Sequence, residues 1–487
     1  MQQRGWALRI GQYIAKRFQD DGAVIGAVTL KKTTDKFIRE QQEVDYVYIE
    51  NHDRIMEFPA QYLGDDDFSL EEICREYDVN SIWPFVQSLR NHVKSYQDKY
   101  YYGFKQNIDD DNIVLFLKAI HKLCVDVFEK FKPDVIITPN FVSYVHIALY
   151  HYAKKRGVKM LGVTDSKVKG IDVFVESYFD SGGPFIDRIN ELNAGEKSEN
   201  HERAAKYIDK LKEEIQAPGL IKTRYKKVSP RELVQLSRRM LSSFIRQKNR
   251  LQGFGSSIDA LSPAIHWRDY WKSRAYTQAA NSFDYYDFEK TGQYAFMPLQ
   301  FQPEANIDVF SPRYNNQIET ARQIAMSLPG DMTLVVKDHP AMLGYRSPEY
   351  LEKVARTPNV KLIDYRIPAG RVLANAKMLI APTGTIFFEA AVLKLPSILL
   401  GDIGTVRLLP NVVLHSDFST LDGKIVDVLK TKMDEQDYNR KLNNYVAAAY
   451  DVGFDINWIG IWERGEKGNM DDLYKLFYSY VENYVQR

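Results

Sequence analysis

The feature that most constrains this fold is a series of short apolar runs in the second half of the chain, at residues 294–299, 332–337, 360–363, 378–381 and 397–400. A loop or a helical segment separates each run from the next. Short apolar runs suit strands buried on both faces, and strands alternating with helices build a parallel sheet covered on each side. The first half repeats the scheme less regularly. A helix over 4–18, with Trp6, Leu8, Ile10, Tyr13 and Ile14 at helical spacing, feeds an apolar run at 23–30. Residues 44–49 read as a second strand, and the amphipathic stretch 113–131 leads through Lys132, Pro133 and Asp134 to a run at 135–138. A helix around 146–155, a stop at Gly157 and a run at 159–163 follow. A doubly wound domain opens with a strand, whereas here the helix that should come second comes first. Either the chain starts late, the favoured reading, or the first strand is absent.

At 487 residues the chain exceeds one ordinary core, so two lobes are expected. The boundaries fall at 1–180 for the first lobe and 293–450 for the second. Between them, residues 181–292 are polar and helix-forming, with basic clusters that include Lys222, Arg224, Lys226, Lys227, Arg238 and Arg239. A helix at 230–249 carries Leu233, Leu236, Met240, Leu241 and Phe244 on one side, which suits packing on a lobe or lying on an anionic membrane surface. The final segment, 451–487, has Leu473, Leu476, Phe477, Tyr480, Val481 and Tyr484 at helical spacing and is expected to pack across the lobes.

Charge and cysteine content remove several classes of function. Lysine and arginine total 65 against 64 acidic residues, so no global field points to nucleic acid. Cys74 and Cys124 stand far apart in helical contexts, which argues against a disulfide framework or a thiolate metal site and fits a reducing compartment. The opening residues lack a signal-peptide core, and no apolar run reaches the roughly 18 residues that a bilayer requires. The expected location is cytoplasmic, with peripheral attachment to the inner face of the membrane as an extension. Two aspartate runs, Asp65 to Asp67 and Asp109 to Asp111, precede helices rather than follow strands, so they read as caps and turns instead of cation ligands. His146 and His151, five apart, do not share a helix face well, and no metal is expected. The Gly253 and Gly255 pair follows a basic helix and lacks a third glycine, and Ser256 and Ser257 form no nucleophile elbow.

Unusual residues cluster in the loops leaving the later strands, where ligands bind in open α/β sheets. Lys337, Asp338, His339 and Pro340 follow one strand; a histidine there can donate to a phosphate oxygen, with Lys337 adding charge and Pro340 fixing the turn. A structural histidine capping the loop is the alternative. Pro382, Thr383, Gly384 and Thr385 precede a helix bearing Glu389. Backbone N–H groups there can hold a phosphate, and Glu389 can accept from ribose hydroxyls; a plain N-cap by either threonine is the alternative. Gln300, Gln302, Pro303 and Glu304 form a third polar loop that can line a cleft between lobes or merely turn the chain. On the first lobe, Asp165 and, more weakly, Asn140 follow strands, and Asp165 is the candidate for the acceptor side.

Taken together, residues 337–340, Gly344, Arg346, 358–363 and 383–396 resemble the capsule polysaccharide biosynthesis proteins that include bacterial Kdo transferases. The stretch 298–304 resembles that family's entry into its C-terminal lobe. The likeness covers about residues 294–402; the first lobe matches only in the order of its elements. The resemblance implies an α/β, GT-B-like fold with two Rossmann-like doubly wound lobes facing a central cleft. It also implies a glycosyltransferase of surface polysaccharide, capsular or lipopolysaccharide, with a CMP-linked, Kdo-like sugar donor as substrate and no cofactor or metal. Joined to the loop readings above, the nucleotide would be held by Gln302, Glu304, Lys337, His339, Pro340, Thr383, Gly384, Thr385 and Glu389, with His339 catalytic at the leaving group, Asp165 catalytic on the acceptor side by its place after a strand, a solvated turn aspartate being the alternative, and a glycan or lipid-linked glycan as acceptor. A sugar-nucleotide epimerase, a CDP-polyol phosphotransferase or a non-catalytic nucleotide-sugar-binding subunit are the competing readings.

Overall fold

The structure, a computed structural model, describes residues 1–2, 6–89, 109–179, 182–216, 230–248, 263–401, 404–456, 460–461, 465–466 and 468–485. Lys222, Arg224, Lys226, Lys227, Gly253, Gly255, Ser256 and Ser257 lie outside the described residues, as do the side chains of Arg239, Phe244 and Tyr484.

The first lobe holds β1 (Ile25–Thr29), β2 (Tyr46–Asn51), β3 (Val135–Ile137), β4 (Lys159–Asp165) and β5 (Asp172–Val175). Its helices include α1 (Gln12–Asp20), preceded by a π-helical turn at Trp6–Gly11, then α2 (Lys32–Glu40), α3 (Asp110–Lys130) and α4 (Tyr144–Lys155). β1 pairs with β2 and β3 with β4 in parallel, and β5 closes the edge antiparallel to β4. Residues 1 and 2 join the two parts. Gln2 bridges Thr29 in parallel register, its N–H donating to Val28 O at 2.8 Å and its carbonyl accepting from Leu30 N at 3.0 Å. On the other side the Met1 ammonium donates to Ile137 O. The spatial order β2-β1-residue 2-β3-β4-β5 therefore becomes 3-2-1-4-5-6 when numbered along the chain, the doubly wound order. Residues 1 and 2 thus occupy the central position of that order. Beneath them lies a cavity of about 810 Å³, lined by Trp6, Ile25, Gly26, Phe131, Pro133 and Val135 among others. Burial pushes the Met1 ammonium down to about 5.

Between the lobes run α5 (Pro184–Asn193), α6 (His201–Gln216), α7 (Pro230–Lys248) and α8 (Pro263–Asn281). The second lobe follows with β6 (Tyr294–Pro298), β7 (Thr333–Lys337), β8 (Val360–Ile363), β9 (Met378–Ala381), β10 (Ser397–Leu399) and β11 (Val412–Leu414). All are parallel, in the order β11-β10-β9-β6-β7-β8, which again is 3-2-1-4-5-6 along the chain. The two-lobed, Rossmann-like α/β fold stands on these two sheets.

Strand alternation divides the second core. Phe296, Val335, Leu379 and Ala381 face one way, against Phe387 and Ala390 of α10 (Ile386–Val392) and Tyr445 and Ala448 of α11 (Glu435–Val452). Ala295, Met297, Leu334, Val336, Met378 and Ile380 face the other, against Ile324 of α9 (Gln317–Ser327) and the helical residues Leu351 and Ile425. Because both faces are buried, each strand reads as a continuous apolar run.

The lobes are tied at several points. α11 leaves the second lobe and packs on α5 and α6, after which Phe454 pairs with Asp172 of β5. α12 (Met470–Val485) then packs on α1, and the Phe477 ring lies 4.4 Å from Phe174 and 6.3 Å from Trp6, centroid to centroid. The short helix Ala305–Asp308 reaches the opposite way: Ala305 and Val309 belong to the first lobe's core.

Candidate functional site

In the 3-2-1-4-5-6 order the sheet reverses direction between β6 and β9, and the crevice opens at their carboxyl ends. Four loops meet there, those leaving β6, β7, β9 and β10. Each can be built from its residues.

β7 ends at Lys337 because Pro340 lacks an N–H and restricts the residue before it to extended backbone. His339 accordingly sits at φ −73° and ψ 127°, and its Nδ1 accepts from Ala341 N at 3.1 Å, capping the turn Pro340–Met342. With Nδ1 accepting, the neutral ring carries its proton on Nε2, which leaves a donor at the loop rim. Burial lowers the His339 pKa; Asp338 opposes that shift, and Lys337 and Arg346 add to it. The neutral, Nε2-protonated form is the one favoured near neutral pH.

Asp338 turns inward and pairs with Arg346, whose Nη2 also donates to Gln300 O at 2.7 Å. One guanidinium therefore joins the loops after β6 and β7. Burial raises the Asp338 pKa, and Arg346 is the chief opposing influence. Removing the arginine would leave that carboxylate buried and uncompensated.

Lys337 is 4% exposed, with Nζ donating only a long bond to Asp338 O at 3.4 Å, and no carboxylate lies within 4 Å of it among the described residues. Burial pushes it down to about 8, while Asp338, Asp364 and Glu389 pull the other way. Across the crevice Glu389, on the first turn of α10, is raised by burial and lowered by Lys337. The two charges share one space without forming an ion pair. Titratable groups shifted by burial and by one specific charged neighbour, set in a crevice, mark a candidate functional site.

The loop before α10 is shaped by Gly384 at φ +126°, a region that disfavours other residues, and a Cβ there would meet Gln300 Oε1 at 3.3 Å. Thr383 is buried and Thr385 exposed, and no side-chain cap satisfies the first turn of α10. Backbone N–H groups are thus presented, although a seven-residue helix adds only a modest dipole.

Several sequence expectations need correction. Gln302 is 2% exposed, and its amide is fully engaged: Nε2 donates to Asp308 Oδ1 and to Asn315 O at 3.1 Å each, while Oε1 accepts from Gln317 Nε2 at 2.8 Å. It braces the loop instead of lining the crevice. Glu304 caps the short helix Ala305–Asp308, accepting from Asn306 N at 2.9 Å, so it serves the contact between lobes. Pro340 contributes backbone geometry alone. Asp165 ends β4 directly opposite Asp172, at the neck of a β-hairpin rather than on a crossover loop. Its Oδ1 accepts from Lys167 N at 2.8 Å, its carboxylate is half exposed, and the turn is clamped where Tyr445 donates to Ser166 O at 3.0 Å. Among the described residues no hydrogen bond or ion pair joins Asp165 to Lys337, His339 or Glu389, and a half-exposed carboxylate that closes its own turn is a solvated turn aspartate. Asn140 follows β3, with its carbonyl accepting from Thr138 Oγ1 at 2.9 Å.

The sequence reading missed how Gln300, Gln317, Asp338 and Arg346 interlock. The signal was an arginine eight residues after a strand-end aspartate, which has no meaning until the loop folds back. The aspartate runs serve as ion-pair and cap residues: Asp66 and Asp67 pair with Lys122 and Lys118, and Asp109 caps α3 through Asn112 N at 2.8 Å. Among the described residues no cluster of three His, Cys, Asp or Glu side chains is placed to hold a metal ion.

No family model and no curated protein matches the chain. Solved structures do, at a distance. The beta Kdo 2,7 transferase KpsC of Thermosulfurimonas dismutans aligns over 74% of this chain and 89% of its own at 10% identity, with a TM-score of 0.32. The UDP-GlcNAc 2-epimerase of Methanocaldococcus jannaschii covers 91% and 96% at 13% identity and 0.26. The UDP complex of S. aureus MnaA covers 96% and 99% at 12% identity and 0.25. Scores this low leave the strand order and the side chains as the grounds for function.

Proposed function

We propose that this protein is a glycosyltransferase of surface polysaccharide biosynthesis that holds a cytidine-linked sugar donor at the crevice of its second lobe. The observation that carries the reading is the unpaired meeting of Lys337 and Glu389 beside the strand-order reversal, with a donor on His339 at the rim. In glycosyl transfer the bond from the anomeric carbon to the donor phosphate oxygen breaks as the acceptor hydroxyl oxygen forms the new one, and the hydroxyl proton is released to solvent. The electron pair of the broken bond stays on the departing nucleotide. Lys337 and the His339 Nε2–H compensate that developing charge, the task that preorganised donors perform best. Glu389 accepts from the ribose hydroxyls, and the N–H groups at Thr385 and beyond face the phosphate. Positive charge for the leaving group thus comes from the chain itself, in keeping with a metal-independent reaction. The choice of cytidine rests on the sequence resemblance of residues 294–402.

The test is a thermal-shift series with CMP, CDP, UDP, GDP and ADP on the wild type, His339→Ala and Glu389→Gln. Ligand binding raises the apparent melting temperature by mass action. Stabilisation by CMP or CDP that both variants lose supports the reading. A preference for UDP moves it toward an epimerase, and no response to any nucleotide removes it.

A further inference from the structure

The α7 and α8 helices pack against each other: Tyr270 donates to Glu232 at 3.4 Å and Arg274 at 2.9 Å. One stripe of α8 faces the second lobe. Asp269 and Ala280 are buried on it, and Ser273 and Thr277 press on Gly344, where a Cβ would meet both hydroxyl oxygens at 2.7 Å. Helical periodicity places Trp267 and Trp271 on the other side of α8 from that stripe. They are 43% and 44% exposed, with rings edge to face at 5.8 Å. On α7, Leu236 is buried, whereas Val234 and Leu241, seven residues apart, are 53% and 61% exposed, with exposed Arg238 between them.

Charge adds a second, independent feature. The sequences of the two helices contain eight Lys or Arg and two Asp or Glu, in a chain whose net charge is +1. Both acids are matched by arginine, Glu232 by Arg274 and Asp269 by Arg268. The helix pair is therefore strongly basic on a protein that is otherwise net acidic. A polyanion such as RNA or an acidic glycan would need only the charge. Outward indoles on one helix and outward valine and leucine on the helix packed against it call for a partner with apolar depth as well, and the headgroup region of an anionic bilayer offers both.

We propose that the α7–α8 pair docks on anionic lipid headgroups, with Trp267 and Trp271 at headgroup depth and Arg231 and Arg238 at the lipid phosphates. The attachment is interfacial, since no described helix is long and apolar enough to cross a membrane. Because α8 seats on Gly344, two residues before Arg346, docking fixes how the crevice of the second lobe faces the bilayer.

The experiment is co-sedimentation of the whole protein with vesicles of phosphatidylcholine alone and with one third phosphatidylglycerol, in low and high salt. Binding is expected only with the anionic lipid and should weaken in high salt. Each basic residue near such a surface contributes on the order of fivefold in partitioning, so Arg231→Glu with Arg238→Glu should lose about thirtyfold or more. Trp267→Ser with Trp271→Ser should weaken binding and abolish most quenching of tryptophan fluorescence by brominated lipid. Circular dichroism of each variant verifies its fold, and quenching in the wild type tests indole depth without any variant. Absence of vesicle binding, equal binding to neutral vesicles, or an unquenched wild type overturns the proposal. So does tight binding to heparin or RNA that the tryptophan variant retains in full, which would mark a polyanion site.

Discussion

Lys337 shows how one residue reports on the crevice. Its pKa of about 8 places the loss of its charge within an accessible range, while a nucleotide phosphate, with a second pKa near 6, stays ionised throughout. The sign follows. Below about pH 8 the ammonium is charged and attracts the phosphate; above it the attraction fades. Nucleotide affinity should therefore fall as pH rises from 7 to 9, by up to about tenfold over the last unit. Lys337→Arg, which does not titrate there, should bind with a flat profile, and Lys337→Met should bind weakly at every pH. Calorimetric titration at pH 7, 8 and 9 decides it: a flat wild-type profile, or a slope that the arginine variant shares, would remove Lys337 from the phosphate. Sequence alone could nominate Lys337, at the end of an apolar strand, and Glu389, on the helix that follows another. It could not separate them from Gln302 and Glu304, which share that setting. Burial and hydrogen-bond partners make the distinction, and those depend on Asp308, Asn315 and Gln317, residues six to fifteen positions further on.

At the scale of elements, β6 to β10 were legible because burial on both faces makes each an unbroken apolar run bounded by polar loops. β11 was not: it has three residues, stands at the sheet edge, and is partly exposed. β5 was overlooked because β4 to β5 is a hairpin within a domain whose other connections are crossovers, and that error is what made Asp165 look like a cleft residue. Helices α3 and α4 hold a feature that hydrophobic patterning conceals, three histidines among apolar neighbours. Burial pushes His121 down to about 4, His146 to about 3 and His151 to about 4. Nearby charges act in both directions: Glu76 and Arg156 oppose each other at His121, Lys154 and Asp78 do so at His151, and the Met1 ammonium depresses His146. Each folded value lies below the unfolded one near 6.5, so the unfolded chain binds the extra protons as pH drops. Stability of the first lobe is intact above pH 6.5 and is lost progressively toward pH 4, by about 2 kcal/mol for each histidine at pH 5. His121 packs edge-on against Phe68 and Tyr152, a site that can accept another aromatic ring. Denaturant midpoints at pH 7 and pH 5 should show His121→Phe losing about 2 kcal/mol less than the wild type between them; an equal loss would mean that His121 does not titrate as argued.

The whole molecule consists of two sheets of the same 3-2-1-4-5-6 order joined by helices that belong to both. In the first sheet the central position is occupied by Met1 and Gln2, and that lobe also draws support from outside its own strands. α12 supplies it: Leu473, Tyr474 and Phe477 share a core with Trp6, Ile10, Leu161 and Phe174, all in the first lobe. The end of the chain thus stabilises its beginning, while the second lobe's sheet lies between two cores, one of which also takes in Val168, Ile171 and Val173 of the first lobe. Phe477→Ala removes a fully buried ring from that shared core, at a cost of about 3–5 kcal/mol. The loss should be felt unequally. Amide hydrogen exchange should speed up in β1, β3 and β4, while β6, β7 and β9 keep their protection and the nucleotide-induced thermal shift, where there is one, persists. Uniform loss of protection would instead mean that α11, which packs on α5 and α6 and ends at the pairing of Phe454 with Asp172, couples the lobes so tightly that neither unfolds without the other.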